Sequence, residues 1–133
     1  MLQFLEGFIW FDQRLQQHLQ DAGMPSVNRT ESMIMLYSSA GVVRPGELGN
    51  RIGLARQSVN SAIRSLEAKG LVRLGVDPSD ARCRIIEHTD EAQPVYDAAL
   101  QAITDAEDEL AGAIGRKRMA ALQATMALMI RPR

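Results

Sequence analysis

The chain has 133 residues, of which 46% are hydrophobic and 23% charged, and its formal net charge is −1. That is the composition of an ordinary globular domain. It contains no run of about 18 apolar residues, so no membrane span is expected, and its single cysteine rules out an intrachain disulfide.

Residues 2–20 read as a helix. Phe4, Phe8, Phe11, Leu15 and Leu19 form one stripe, flanked by Leu5 and Ile9, while Gln13, Gln16, Gln17 and Gln20 mark the wet side. The opening Met1-Leu2-Gln3-Phe4 lacks the basic start of a signal peptide, and the cytoplasm is the expected location. Residues 21–26 break the pattern at Gly23 and Pro25. A second helix is expected from about Thr30 to Ser39, capped by Asn28 or Thr30, with Met33, Ile34, Leu36 and Tyr37 buried. Gly41 ends it, and Val42-Val43 suggests a short strand beside the hairpin predicted further on.

Pro45 suits the first turn of a short helix running to Ile52, because its missing N–H would have been unpaired there. Leu48 and Ile52 give that helix an apolar i, i+4 pair. Gly53 then supplies a left-handed terminator, and Leu54-Ala55 leads into a second helix. Two short helices around a tight Gly-containing turn are a helix-turn-helix pattern. In the second helix, Gln57 to Lys69, Val59, Ala62, Ile63 and Leu66 share one face. The opposite face carries Gln57, Asn60, Ser61 and Arg64. Amides, hydroxyls and guanidinium groups read base edges and phosphates in a major groove. Small Ser58, Ser61 and Ser65 allow close backbone approach. On an arbitrary helix such a face is merely solvated. Gly70 ends the helix, and residues 71–74 and 83–86 read as strands around the turn Asp77-Pro78-Ser79-Asp80.

Charge follows the same division. Residues 42–86 hold eight bases and four acids, net +4, against −2 for residues 1–41 and −3 for residues 87–133. Positive charge therefore gathers where a nucleic-acid reader is expected.

Beyond the hairpin, Thr89 is the expected N-cap of a long helix, and Pro94 must lie early in it or the start moves later. Val95, Ala99, Ala102, Ile103, Ala106 and Leu110 define one close-packing face, with an acidic outer run at 105–109. Gly115 breaks the helix. Met119, Leu122, Met126, Met129 and Ile130 define a last amphipathic helix.

The elements Leu66-Glu67-Ala68-Lys69-Gly70-Leu71-Val72 and Asp77-Pro78-Ser79-Asp80-Ala81-Arg82 resemble the winged-helix domain of the MarR family (multiple antibiotic resistance regulators). Glu47-Leu48, Ser58-Val59 and Thr89 add to the likeness. Outside residues 42–90 it rests on length and helix order. The resemblance implies a mainly helical fold with a small β-hairpin wing. The whole chain, 1–133, would be one such domain, with 42–86 the DNA-reading part and 1–22 and 90–131 dimerisation helices. It implies that the helix near 56–68 enters a major groove, that Arg82 reaches a minor groove, and that Asp80 holds Arg82 through an ion pair. Three positions depart from the pattern. Ala81 stands where many relatives carry a second Arg, and His88 where Leu commonly precedes the Thr. Ala55 removes a side-chain cap worth about 1 kcal/mol.

The expected function is sequence-specific DNA binding by a dimeric transcription regulator, a repressor on a palindromic operator. Arg56, Gln57, Ser58, Asn60, Ser61, Arg64, Arg82 and Arg84 are the candidate contacts. The resemblance also implies a pocket between dimer helices and reading head for a small apolar or phenolic effector, with Phe11, Leu15, Met33 and Tyr37 as candidates. Cys83 lies between Arg82 and Arg84, which would lower its pKa. No Cys/His/acid cluster has metal-ligand spacing, no cofactor is implied, and no catalytic motif is present. The rival reading is a winged helix used for protein–protein interaction, without DNA.

Overall fold

The computed structural model describes residues 1–129. Its elements, in order, are α1 (Leu2–Asp21), α2 (Arg29–Ser39), α3 (Pro45–Ile52), α4 (Arg56–Ala68), β1 (Val72–Asp77), β2 (Asp80–His88), a 3-10 turn (Asp90–Ala92), α5 (Gln93–Ile114) and α6 (Arg116–Met129). The mainly helical winged helix-turn-helix is the architecture expected from the sequence. Ile130 and Arg131, placed by the sequence reading in the last helix, lie outside the described residues.

Helices α2, α3 and α4 pack into the reading head, and α1 packs along α5. The head's core is built on Ile34, Leu48, Val59, Ile63 and Leu66, each at most 1% exposed. Burying a side chain of that kind contributes about 1.5–3 kcal/mol. Leu71, Val72 and Ile86 carry the same core into the base of the hairpin.

The turn between α3 and α4 is made by Gly53, at φ 75° and ψ 31°, with its N–H returned to the Gly49 carbonyl. A left-handed residue there ends one helix and redirects the chain into the next at no side-chain cost. Pro45 occupies the first turn of α3, and Ala55 leaves α4 without a side-chain cap, both as the sequence indicates.

Helix α2 differs from expectation in which face is buried. Glu31, Ile34, Met35 and Ser38 face inward, while Leu36 is 48% exposed. The buried set has helical spacing, but two of its members are polar, which hides it from a search for apolar residues. Of the two candidate caps, Asn28 does the work. Its side chain accepts from the Glu31 N–H, and the Glu31 carboxylate accepts from the Asn28 N–H, each at 2.9 Å. This is a reciprocal capping box.

The wing is longer than residues 71–74 and 83–86. Its strands pair antiparallel from Val72 opposite His88 to Asp77 opposite Asp80, with a bulge at Val76/Asp77. Asp77 accepts from the Ser79 N–H at 2.8 Å and its hydroxyl at 2.7 Å, so two residues suffice for the turn. The expected strand at Val42-Val43 is reduced to one bond, Ile86 N–H to the Val43 carbonyl at 2.8 Å. Pro45, which offers no N–H, and the start of α3 leave no room for a ladder. Thr89 caps no helix with its side chain. Its hydroxyl donates to the Gly70 carbonyl at 2.6 Å, and the 3-10 turn precedes α5.

The terminal helices leave apolar surface open on the single chain. Phe4, Leu5 and Phe8 of α1, Leu100 of α5 and Leu122, Leu128 and Met129 of α6 are all more than 40% exposed. Met119 is the buried residue of α6.

Candidate nucleic-acid interface

Helix α4 presents its two faces as the periodicity requires. Val59, Ala62, Ile63 and Leu66 are buried, and Arg56, Gln57, Ser58, Ser61 and Arg64 are exposed. Gln57, Ser58, Ser61 and Arg64 line one shallow groove together with Asn28, the cap of α2, and Thr30 in its first turn. The last two are additions that helical periodicity within α4 could not supply. Asn60 is half-buried and lies outside that groove.

Two ion pairs hold α4 and the wing in place, and neither was foreseen. The first joins Glu31 to Lys69, 38 residues apart, with Nζ to Oε2 at 2.6 Å. Lys69 also donates to the Ser26 carbonyl at 2.8 Å. The Glu31 carboxyl is pushed up by burial, yet ends below its ordinary pKa because Lys69, Ser65 and the Asn28 N–H all stabilise the charge. The pair fixes the end of α4 against the start of α2. The second joins Arg44, ahead of α3, to Asp77 at the wing tip, with Nε to Oδ2 at 2.8 Å. Asp77 is pulled down to a pKa of about 2 by the Ser79 hydroxyl and N–H and then by Arg44. Together with the Val43–Ile86 bond, this straps the hairpin to the connector before α3.

The wing ion pair implied by the resemblance is present. Asp80 accepts from the Arg82 N–H at 3.1 Å and from Arg82 Nε at 3.3 Å. The Arg82 N–H, its guanidinium and the Cys83 thiol lower the Asp80 pKa in that order. The Arg82 side chain is 91% exposed and projects from the wing. Arg84, two residues on, is exposed as well. Among the described residues Arg56, Arg64 and Arg84 have no acidic partner, whereas Arg44, Arg51, Lys69, Arg73 and Arg82 each have one.

Cys83 is corrected. Alternation along β2 sends Arg82 and Arg84 to one side and Cys83 to the other. Its thiol donates to Asp80 at 3.5 Å, and burial followed by Asp80 raises its pKa. The flanking guanidinium groups do not activate it.

Residues 27–82 match the family model described as MarR family. The reading head thus carries the MarR-family likeness that its sequence motifs suggested. No curated protein matches it in sequence. Among solved structures, the transcriptional repressor CouR bound to a 23-mer DNA duplex aligns with a TM-score of 0.79 at 20% identity, over 96% of this chain and 89% of that one. CouR from Rhodococcus jostii RHA1 bound to p-coumaroyl-CoA aligns at 0.77 and 19% identity, over 99% and 90%. Wild-type MarR from E. coli in its apo form aligns at 0.72 and 16% identity, over 91% and 89%. At such identities the likeness concerns the fold. The residues that match the family model span α2, α3, α4, β1 and the wing tip through Arg82.

A pocket of about 140 Å³ opens between α1, α2 and α5. Phe11, Leu15 and Met33 line it as expected, together with Phe8, Ile103 and Tyr96, while Tyr37 lies outside it. Tyr96 stacks on His88, the last residue of the wing, with ring centroids 4.0 Å apart. Its hydroxyl is buried with no hydrogen bond of good geometry among the described residues; burial pushes its pKa up to about 12, and Ser38 offsets part of that rise. Among the described residues no group of His, Cys, Asp and Glu could hold a metal, and no helix is long and apolar enough to cross a membrane.

Proposed function

We propose that the chain is a dimeric, sequence-specific DNA-binding transcription regulator that represses by occupying a palindromic operator in the cytoplasm. The observation that carries this is the exposed face of α4. It combines unpaired Arg56 and Arg64 with Gln57, Ser58 and Ser61 beside a wing that projects Arg82 and Arg84. Arg56, Arg64, Arg82 and Arg84 supply phosphate contacts and affinity. Gln57, Ser58, Ser61 and Arg64 read base edges, with Asn60 at the margin of the same face.

The exposed apolar residues of α1, α5 and α6 support a two-fold dimer through the terminal helices, which would present two α4 helices to half-sites one DNA turn apart. The 140 Å³ pocket beneath α1 supports a small apolar or phenolic effector. Its occupancy would bias the spacing of the two α4 helices and so lower affinity by a population shift. CouR, which shares the fold, is a transcriptional repressor described both on DNA and with p-coumaroyl-CoA.

Fluorescence anisotropy tests the reading, using duplex from upstream of the chain's own gene and a scrambled duplex across a salt series. Tight, salt-sensitive binding that prefers the upstream duplex is expected. Arg82→Ala should weaken both duplexes and flatten the salt slope by about one. Arg64→Ala should reduce the preference between them. Indifference to sequence and to both substitutions would favour an interaction module instead.

A further inference from the structure

The pocket between α1, α2 and α5 has one ion pair at its rim. Asp12 of α1 and Arg29 of α2 both line it, and among the described residues they are its only charged ones. Arg29 donates twice to the same Asp12 oxygen, from Nε at 3.0 Å and from a terminal nitrogen at 2.9 Å. The guanidinium also lies 5.2 Å from the centre of the Phe8 ring. The one cation of the pocket is therefore already matched by a carboxylate and partly covered by an aromatic face. The remaining walls are mostly hydrocarbon, from residues such as Phe11, Leu15, Met33 and Ile103.

An anionic ligand meets two obstacles here. It can lie beside the Asp12 carboxylate and be repelled, or it can take Arg29 from Asp12. The second course strands a carboxylate that is only 14% exposed, and an uncompensated buried charge is costly. An uncharged ligand meets neither obstacle. The volume is close to that of a cavity of about 150 Å³ known to admit benzene. From this we infer that the pocket takes a compact, uncharged, single-ring aromatic molecule, and that Asp12 is the residue that turns anions away. The inference rests on the reading of this pocket as a ligand site.

Met33 and Met35 line the pocket and report on it directly. The full chain, labelled with ¹³C at methionine methyls, is titrated at pH 7 with 4-methylbenzamide and with 4-methylbenzoate. The two probes share ring and shape and differ by one charge. The amide should shift the Met33 and Met35 methyls, with the carboxylate binding about tenfold more weakly, as expected for one unfavourable charge contact at a half-solvated rim. Asp12→Asn should bring the carboxylate to at least parity, because Arg29 is then free. Arg29→Gln should weaken the carboxylate further and leave the amide unchanged, and this order carries the test if Asp12→Asn fails to fold. Equal or tighter binding of the carboxylate by the wild type would overturn the charge rule while leaving the pocket reading intact. Methyls unmoved by either probe would overturn the pocket reading and the rule with it.

Discussion

Glu31→Gln tests how the reading head is held together. The wild-type carboxylate is 1% exposed and accepts from Lys69 Nζ and the Asn28 N–H. Glutamine retains an oxygen for the capping bond, so the helix start survives. What is lost is the charge opposite Lys69. Breaking a fully buried pair costs about 3–5 kcal/mol. Lys69 is 32% exposed and keeps its bond to the Ser26 carbonyl, so water and that carbonyl offset part of the loss. The expected cost is about 2 kcal/mol, and Glu31→Ala, which also removes the capping box, should cost about 1 kcal/mol more. Urea denaturation at equal protein concentration measures it, since a dimer's apparent stability depends on concentration. With slopes of about 2 kcal/mol per molar, the midpoint should fall by about 1 M. The pH dependence supplies a second check. The folded-state pKa of Glu31 lies below its ordinary 4.5, so between the two the unfolded chain binds more protons. The wild-type advantage is thus fully present above about pH 4.5 and shrinks as pH falls through the folded value. A Glu31→Gln protein as stable as wild type at pH 7, or a difference that persists unchanged into acid, would refute the argument.

Cys83 should react with iodoacetamide at pH 7.5 more slowly than a free peptide thiol, because burial and Asp80 raise its pKa. Asp80→Asn should speed the reaction and move its pH midpoint down, as read by mass spectrometry. Tyr96→Phe removes a buried hydroxyl that makes no hydrogen bond of good geometry among the described residues, so thermal unfolding should show stability unchanged or raised by up to about 1 kcal/mol. A clear loss would mean that the hydroxyl is paired. Gly115 joins α5 to α6 at φ 90° and ψ 143°, with open space where a Cβ would stand. Gly115→Ala should therefore cost about 1–3 kcal/mol of backbone strain alone, and chemical denaturation indistinguishable from wild type would contradict that reading.

What proved legible in the sequence is what neighbours in the chain decide. The spacing of Val59, Ala62, Ile63 and Leu66 defines the buried face of α4, and with it the exposed set from Arg56 to Arg64. Gly53 and Gly70 end helices at positive φ where the reading placed terminators. The turn chemistry at Asp77–Asp80 marks the wing tip, although the strands run further than the apolar residues suggest. Helix α2 is the instructive exception. Its inward face contains Glu31 and Ser38, and these are buried because Lys69 and the Met35 carbonyl respectively satisfy them. A pattern search that counts apolar side chains turns such a helix by one residue, exchanging Met35 for Leu36.

The sequence by itself determined the order of elements, the helix-turn-helix, the wing and the concentration of positive charge between residues 42 and 86. These follow from periodicity, turn residues and composition, which act over a few residues at a time. Tertiary structure decided which charges remain free and which are spent. It matched Arg29 to Asp12, Lys69 to Glu31 and Arg44 to Asp77, across 17, 38 and 33 residues respectively. It also turned the Cys83 thiol toward Asp80, away from its arginine neighbours. The physical reason is that an ion pair depends on distance in space, and chain separation carries almost no information about that distance until the helices have packed.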